Sequence, residues 1–474
     1  MPEAPGLCFR HVEVDGRLVD VRIAGERVTG VGPGLGPAGG AAVIDGHGGA
    51  LVPGLHDHHI HLLATAAARR SVPVGPRDVR DRVGLAAALR AADAALPPGR
   101  WIRAVGYHES VGGDLDRRGV DALVPGRPVR IQHRSGARWI LNSAAVEALG
   151  LDGGDRPDHA GIERDGAGRA TGRLHRSDAW LRTLLPGEGP PDLAPLGRLL
   201  TRFGVTGVTD TTPYTRLADL APLSAAVRSG ALPQRVVVTG GPGLAGSAPP
   251  DGLEWGPVKI VIDDGDYPRL DELCDGIRAA HGSGRPVAIH CVTRTALVLA
   301  LAAWDDAGSR TGDRVEHGAV IAPDLYPALR HHRLTVVTQP GFVGERGDEY
   351  ARDVDAGDRA HLYPCRSLAE AGVAVAGSTD APYSNPDPWR AIAAASTRRT
   401  PSGAVLGAGE AVSARRALGL FLADPHAPGG AARTVSPGAV ADLCLLPAGL
   451  DEVLAGPAPA RAVSTTRRGR VVGP

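Results

Sequence analysis

The sequence predicts an α/β fold: a (β/α)8 TIM barrel with a small β-sandwich domain made from both ends of the chain. Three observations favour this class. Eight strand-like segments alternate with helix-like segments through the middle of the chain. A length of 474 residues, 43% of them hydrophobic, suits one barrel with a large core. Short alternating segments near both termini are typical of a small sheet.

The eight strand segments are short apolar runs bounded by Gly, Pro or polar residues. They lie at 51–62, 205–211, 234–239, 257–263, 286–292, 314–320, 334–342 and 373–380. Helix-like stretches follow most of them, for example at 296–307 and 389–396. Strands that alternate with helices form a parallel sheet, and eight such units favour a closed barrel. An open doubly wound sheet is the alternative, but no glycine-rich nucleotide fingerprint follows the first strand.

The domain boundaries follow from these segments. We expect residues 1–52 and 430–474 to form the small β-sandwich domain, and residues 53–429 to form the barrel. About 140 residues separate the first two strands, far beyond an ordinary loop. We therefore expect residues 66–200 to be largely a structured insertion, with helical patterns at 83–95 and 192–203. Because it follows the carboxyl end of the first strand, we expect it to cover the active-site face.

Charge and cysteine content exclude several classes of protein. The formal net charge is zero and no basic block occurs, so nucleic acid is not an expected partner. The five cysteines are scattered without a CxxC pair, which excludes a disulfide framework. No run of about twenty apolar residues is present to span a membrane. We expect a cytoplasmic protein that acts on a small molecule. A homodimer would be ordinary, but the sequence leaves the oligomeric state open.

The densest chemistry lies in a histidine-rich strand, Pro53-Gly54-Leu55-His56-Asp57-His58-His59-Ile60-His61. Residues two apart in a strand point to the same face, so His59 and His61 can bind one metal ion together. His56 and His58 point the other way in this register, and we expect both to be structural.

Further ligand types stand at the ends of other predicted strands. In the fifth and sixth segments, His290 closes the run 287–290 and His317 closes the run 314–317, and Asp380 closes the eighth segment. Each alone is more often a structural polar residue. Barrel enzymes place their chemistry at the carboxyl ends of the strands, so the recurrence favours a metal site.

Lys259, in the fourth segment, is the only lysine among 52 basic residues. A guanidinium stays protonated, whereas a buried amine can lose its proton. A neutral amine can react with carbon dioxide to give a carbamate, and such a group can bridge two metal ions. Compositional drift is the competing explanation for a single lysine.

These motifs resemble the amidohydrolase superfamily, and within it the amidohydrolase-3 group. The similarity runs in order through nearly the whole chain. The segments that carry it are the histidine-rich strand, Val258-Lys259-Ile260, Ile289-His290, Glu316-His317-Gly318, Thr379-Asp380-Ala381-Pro382 and Ser436-Pro437-Gly438-Ala439-Val440-Ala441-Asp442-Leu443. The resemblance implies a metal-dependent hydrolase that cleaves a carbon–nitrogen bond of a small molecule. That bond would be an amide, a cyclic amide or an N-formyl-type bond.

The resemblance also implies a site for two divalent metal ions, most often zinc. The six ligands are His59, His61, Lys259, His290, His317 and Asp380. The first two histidines and the aspartate hold one metal, and the other two histidines hold the second. Lys259 bridges both as N6-carboxylysine. Asp380 is the catalytic residue, which takes a proton from the attacking water and passes it to the departing nitrogen.

The substrate pocket is less determined. His133 and Arg138 in the insertion, and Gln339 at the end of the seventh strand, are the candidate substrate contacts. Thr293-Arg294 and Ala137 stand where the family commonly carries a Gly-Asp pair and a histidine, which implies an altered pocket. Two other functions stay open: a mononuclear deaminase, which needs no bridging lysine, and a metal-free scaffold on the same fold.

Overall fold

The computed structural model describes residues 6–153, 159–185, 189–456 and 461–473. The chain divides into two compact units. The first unit comprises Met1–Leu62 and Asp192–Pro474, and the second unit comprises Leu63–Pro191. No helix in the described part of the chain is long and apolar enough to cross a membrane.

Two parallel sheets form the centre of the first unit. The first sheet has the order Leu253–Trp255, Arg235–Val238, Val205–Asp210 and Leu55–Ile60. The second has the order Val258–Val261, Val287–Cys291, Arg314–His317, Thr335–Thr338 and Ala374–Gly377. Each of the eight predicted strand segments contains one of these strands, and the predicted α/β class is confirmed.

Backbone hydrogen bonds join the two sheets at both edges. At one edge, the amide of Lys259 donates to the Gly240 carbonyl over 2.8 Å. At the other, the amide of Asp380 donates to the His59 carbonyl over 2.7 Å, and the amide of His61 donates to the Ala381 carbonyl over 2.9 Å. The segment that carries Asp380 is therefore hydrogen-bonded directly to the strand that carries His59.

Strand 253–261 is interrupted at Gly256 and Pro257, because proline has no amide hydrogen for the ladder. Only its second half falls within the predicted segment at 257–263. The buried guanidinium of Arg285 donates to the carbonyls of Gly256 and Pro257 over 3.0 and 3.2 Å. It also lies over the ring of Trp255, 4.4 Å from the centroid.

Helices separate most of these strands along the chain. The longer ones in the first unit are Ala194–Arg202, Ala221–Arg228, Leu270–Gly282, Arg294–Ala307, Gly341–Asp353 and Pro388–Thr397. Shorter helices are Tyr326–His331, Ala356–Arg359, Arg366–Glu370, Ala414–Gly419 and Leu450–Ala455. The hydroxyl of Thr293 accepts from the amide of Ala296 and begins the helix that follows the His290 strand. Thr293 is thus used as a helix cap.

Two further sheets join the ends of the chain. One has the order Arg27–Gly32, Arg17–Ala24, Leu7–Val14 and Ala42–Asp45, and the other Arg470–Gly473, Ser464–Arg467, Leu443–Leu445 and Leu51–Pro53. Residues from both termini share one apolar cluster, which includes Phe9, Val21 and Leu443.

The first predicted strand, 51–62, is two strands in the structure. Leu51–Pro53 pairs with the C-terminal Leu443–Leu445, whereas Leu55–Ile60 belongs to the first parallel sheet. Gly54 lies between them, where a Cβ atom would come within 2.2 Å of the Thr206 side chain. The change of partner therefore occurs where only glycine fits.

The second unit is built on one six-stranded sheet. Its order is Ile162–Arg164, Ala170–His175, Arg138–Leu141, Val129–His133, Ile102–Tyr107 and Val72–Pro73. The helices are Arg82–Ala95, Glu109–Gly112, Arg117–Asp121, Ser143–Leu149 and Asp178–Leu184, and Leu62–Ala68 crosses the boundary between the units. Its own core includes Leu85, Tyr107 and Ile131.

Candidate metal centre

His59 and His61 both reach the carboxylate of Asp380. His59 lies near the end of strand Leu55–Ile60, and His61 is the first residue beyond it. The Nε2 atoms of the two histidines lie 3.4 and 3.3 Å from Oδ1 of Asp380. Three of the six predicted ligands are thus in direct proximity.

Asp380 is held in place from the first strand. Its backbone is left-handed, with φ of 58°, a conformation that costs about 1–2 kcal/mol for an L-residue. The buried carboxylate of Asp57 accepts from the amide of Thr379 over 2.9 Å and from the amide of His59 over 3.2 Å. Burial raises the pKa of Asp57 to about 7, although these donors oppose the shift.

The Nδ1 atoms of His59 and His61 are taken by protein partners. Nδ1 of His59 is in a very short contact with the carboxylate of Glu316, and Nδ1 of His61 lies 2.9 Å from the Thr212 hydroxyl. Burial lowers the pKa of His59 well below its ordinary value, so the ring is neutral. A neutral ring that donates from Nδ1 presents a free lone pair on Nε2.

His317 has a similar arrangement. It also has a left-handed backbone, with φ of 71°, and its Nδ1 lies 3.0 Å from Oε1 of Gln339. The Gln339 amide group donates to the Val337 carbonyl and to the Ser378 hydroxyl, which fixes Oε1 as the acceptor. His317 therefore carries its proton on Nδ1. One ligand atom each of His59, His317 and Asp380 lie within 4.8 Å of one another.

Lys259 and His290 adjoin this group. The ring of His290 packs against that of His317 with centroids 4.4 Å apart. Lys259 is 3% exposed, and its Nζ is buried without a hydrogen-bond partner in the part of the chain that the structure describes. Burial lowers the pKa of this amine, which favours the neutral form that carbamate formation requires.

The donor set fits a metal ion. Nε2 of His59 and Oδ1 of Asp380 are buried and face each other, and Nε2 of His61 lies 3.3 Å from the same oxygen. The separation of 3.4 Å between Nε2 of His59 and Oδ1 of Asp380 is longer than the 2.7–2.9 Å of a charge-assisted hydrogen bond. Two ligands of one tetrahedral zinc, each about 2.1 Å from the metal, lie about 3.4 Å apart. The separation of the two atoms therefore matches that of two ligands on one tetrahedral ion.

The histidines expected to be structural lie away from this contact. Nε2 of His56 lies 2.9 Å from the Thr209 hydroxyl. His58 is fully buried, and burial lowers its pKa to about 3, so it is neutral.

Sequence analysis missed three residues that contact the predicted ligands: Asp57, Thr212 and Glu316. Asp57 lies within the histidine-rich motif, and Glu316 immediately precedes His317. The available signal was an acidic residue inside an otherwise apolar strand, where an unpaired charge is rare. No comparable signal marks Thr212, because its contact with His61 spans 151 positions in the chain.

The three candidate substrate residues have different surroundings. Gln339 is fully buried, and its amide group bonds His317, Val337 and Ser378. His133 and Arg138 lie in the second unit, where both contact Glu109, over 3.1 and 3.3 Å. Nδ1 of His133 accepts from the amide of Ser135, so Nε2 carries the proton that faces the glutamate. The substrate roles of these residues stay predictions.

The model of the amidohydrolase family matches residues 42–473. The chain is 26% identical to N-substituted formamide deformylase of Arthrobacter pascens in an alignment of 470 positions, which spans 86% of each protein. An uncharacterized metal-dependent hydrolase from Pyrococcus horikoshii OT3 has a similar structure, with a TM-score of 0.71 at 19% identity over 93% of this chain and 97% of that one. The 5-methylcytosine deaminase of Klebsiella pneumoniae gives a TM-score of 0.54 at 15% identity over 98% and 97%.

Proposed function

The chain belongs to the amidohydrolase family, and we propose that it is a metal-dependent hydrolase that cleaves a carbon–nitrogen bond of a small molecule. The observation that carries the proposal is the pair of buried lone-pair atoms, Nε2 of His59 and Oδ1 of Asp380, at the spacing of two ligands on one metal. The predicted resemblance to this family, and the prediction that the chain is an enzyme of it, are confirmed.

The two parallel sheets together form one closed (β/α)8 barrel in this proposal. The support is the backbone hydrogen bonds at both sheet edges, from Lys259 to Gly240 and from Asp380 to His59. The sheets at the chain termini form a β-sandwich domain, supported by their common apolar cluster.

The site would take two divalent ions, zinc by preference. His59, His61 and Asp380 would hold one ion, and His290 and His317 would hold the other. Lys259, as a carbamate, would supply a carboxylate ligand to both. This role for Lys259 is supported by its buried amine, which has a lowered pKa and no hydrogen-bond partner among the described residues. Nitrogen and oxygen ligands of this kind suit zinc.

Bound there, the ions would lower the pKa of a shared water to about 7 and polarise the carbonyl under attack. Asp380 takes the proton of the attacking water and delivers it to the departing nitrogen. Asp57 accepts from the amides of Thr379 and His59, and these two contacts hold the carboxylate of Asp380 in position for both steps. Gln339 acts by orienting His317. Because the formamide deformylase resembles the chain over 86% of its length, an N-formyl amide is the first substrate class to test.

A mononuclear deaminase is the second candidate. The observation in its favour is that His59, His317 and Asp380 alone bring three ligand atoms within 4.8 Å. Such an enzyme does not use Lys259 and releases ammonia, whereas the proposed hydrolase releases a substituted amine.

The test is metal content per chain, measured by elemental mass spectrometry on protein expressed with zinc and bicarbonate. We expect two ions in the natural protein and at most one in Lys259→Ala. Lys259→Arg is the matched control, since it keeps a cation but cannot form the carbamate. One ion that survives both changes, with ammonia released from aminopyrimidines, would identify the deaminase. A protein without metal would contradict both enzymes.

A further inference from the structure

A buried ion pair lies directly behind His59. Glu316 and Arg314 are 0% and 1% exposed, in the strand that ends in His317. Nε of Arg314 lies 2.5 Å from Oε1 of Glu316, and the other carboxylate oxygen contacts Nδ1 of His59. Removing two charges from water is strongly unfavourable unless the attraction between them compensates for the lost hydration energy. A fully buried pair at a candidate metal centre therefore calls for an explanation.

The Nδ1 atoms of His59, His61 and His317 have partners of different charge. Nδ1 of His61 contacts the neutral hydroxyl of Thr212. Nδ1 of His317 contacts the neutral amide of Gln339 at 3.0 Å, and the nearest carboxylate oxygen, on Asp380, is farther away at 3.7 Å. His59 faces a carboxylate. A carboxylate partner makes the imidazole a stronger base and a stronger metal ligand than a neutral acceptor does. The charge difference comes from Glu316, Thr212 and Gln339, none of which is a predicted metal ligand.

We propose that Glu316 is a positioning residue for His59, and that its charge makes the metal position on His59 and His61 the tighter of the two. The guanidinium of Arg314 lies against the carboxylate and offsets its charge. Glu316 keeps the proton of His59 on Nδ1 and aims Nε2 at the ion. The inference rests on the proposed function, because it requires a metal ion at His59.

The test is the affinity of the metal-free protein for Co²⁺, measured by competition with a chromophoric chelator. The visible absorption of the bound ion reports its ligands. We expect Glu316→Gln, which keeps the shape and removes the charge, to weaken the tighter position about 10- to 100-fold and to alter the absorption spectrum. Thr212→Val is the matched control on His61, and we expect a change of no more than a few-fold.

A second variant separates positioning from folding, because Glu316→Gln leaves Arg314 buried and unpaired. In Arg314→Met/Glu316→Gln both charges are removed. We expect the metal-free double variant to recover the natural Tm but not the natural Co²⁺ affinity. A double variant with natural affinity and spectrum would overturn the inference alone. A natural protein that takes up no Co²⁺ would overturn the proposed function and the inference with it.

Discussion

Replacing Arg285 by Met should destabilise the strand that carries Lys259. The guanidinium donates to the carbonyls of Leu244, Gly256 and Pro257 over 3.0 to 3.3 Å, and also to that of Thr239. Four hydrogen bonds contribute about 1 kcal/mol each, and the contact with the Trp255 ring adds about 1 kcal/mol. Methionine fills much of the same volume and avoids the buried charge, so we expect a net loss of about 3 kcal/mol.

The assay is thermal unfolding by calorimetry of the metal-loaded protein, together with its metal content. With an unfolding entropy of about 2.1 cal/mol/K per residue, a loss of this size lowers Tm by about 4 °C for the first unit, which has about 345 residues. We expect metal content to fall as well, since the carbonyls near Lys259 lose their donors. Arg278→Met is the control, because Arg278 pairs with Asp306 at an exposed position and its removal should leave Tm unchanged. An Arg285→Met protein with natural Tm and full metal content would refute the reasoning.

Two other consequences concern thiols and acid. All five cysteines are buried, so a thiol reagent should label none of them in the native protein and all five in denaturant; rapid native labelling would contradict this burial. The hydrogen bond from Arg235 holds the pKa of Glu254 at about 2, below its ordinary 4.5. The stability from this carboxylate is therefore complete above pH 4.5 and is lost as pH falls through about 2. Glu254→Gln should reduce the loss of Tm between pH 4.5 and pH 2, and an unchanged acid profile would count against this linkage.

Local sequence patterns were sufficient to predict every parallel strand except Leu253–Trp255, because most of the strands are short apolar runs with clear boundaries. They were insufficient at Gly54 and Pro257, where the strand partner changes. The reason at Gly54 is a long-range contact: the space beside it is filled by Thr206. A pattern within one segment carries no information about a neighbour so distant in the chain.

The same limit applies to the candidate site. Each predicted metal ligand stands at or near a strand end, a position that periodicity can locate. The residues that set the ligands' protonation come from other strands, as Glu316 does for His59 and Gln339 does for His317. Their polar types are visible in the sequence, but their partners depend on how the strands are arranged in space.

The single lysine acquires a physical meaning from the other buried cations. Arg285 and Arg398 are also buried, and each guanidinium donates to several backbone carbonyls; those of Arg398 belong to Leu362, Tyr363 and Leu406. A guanidinium has five donors and stays charged, so the fold uses it where carbonyls converge. Nζ of Lys259 has no such acceptors among the described residues. A neutral amine suits such a position better than a guanidinium does, and the neutral amine is the form that the proposed carbamate requires.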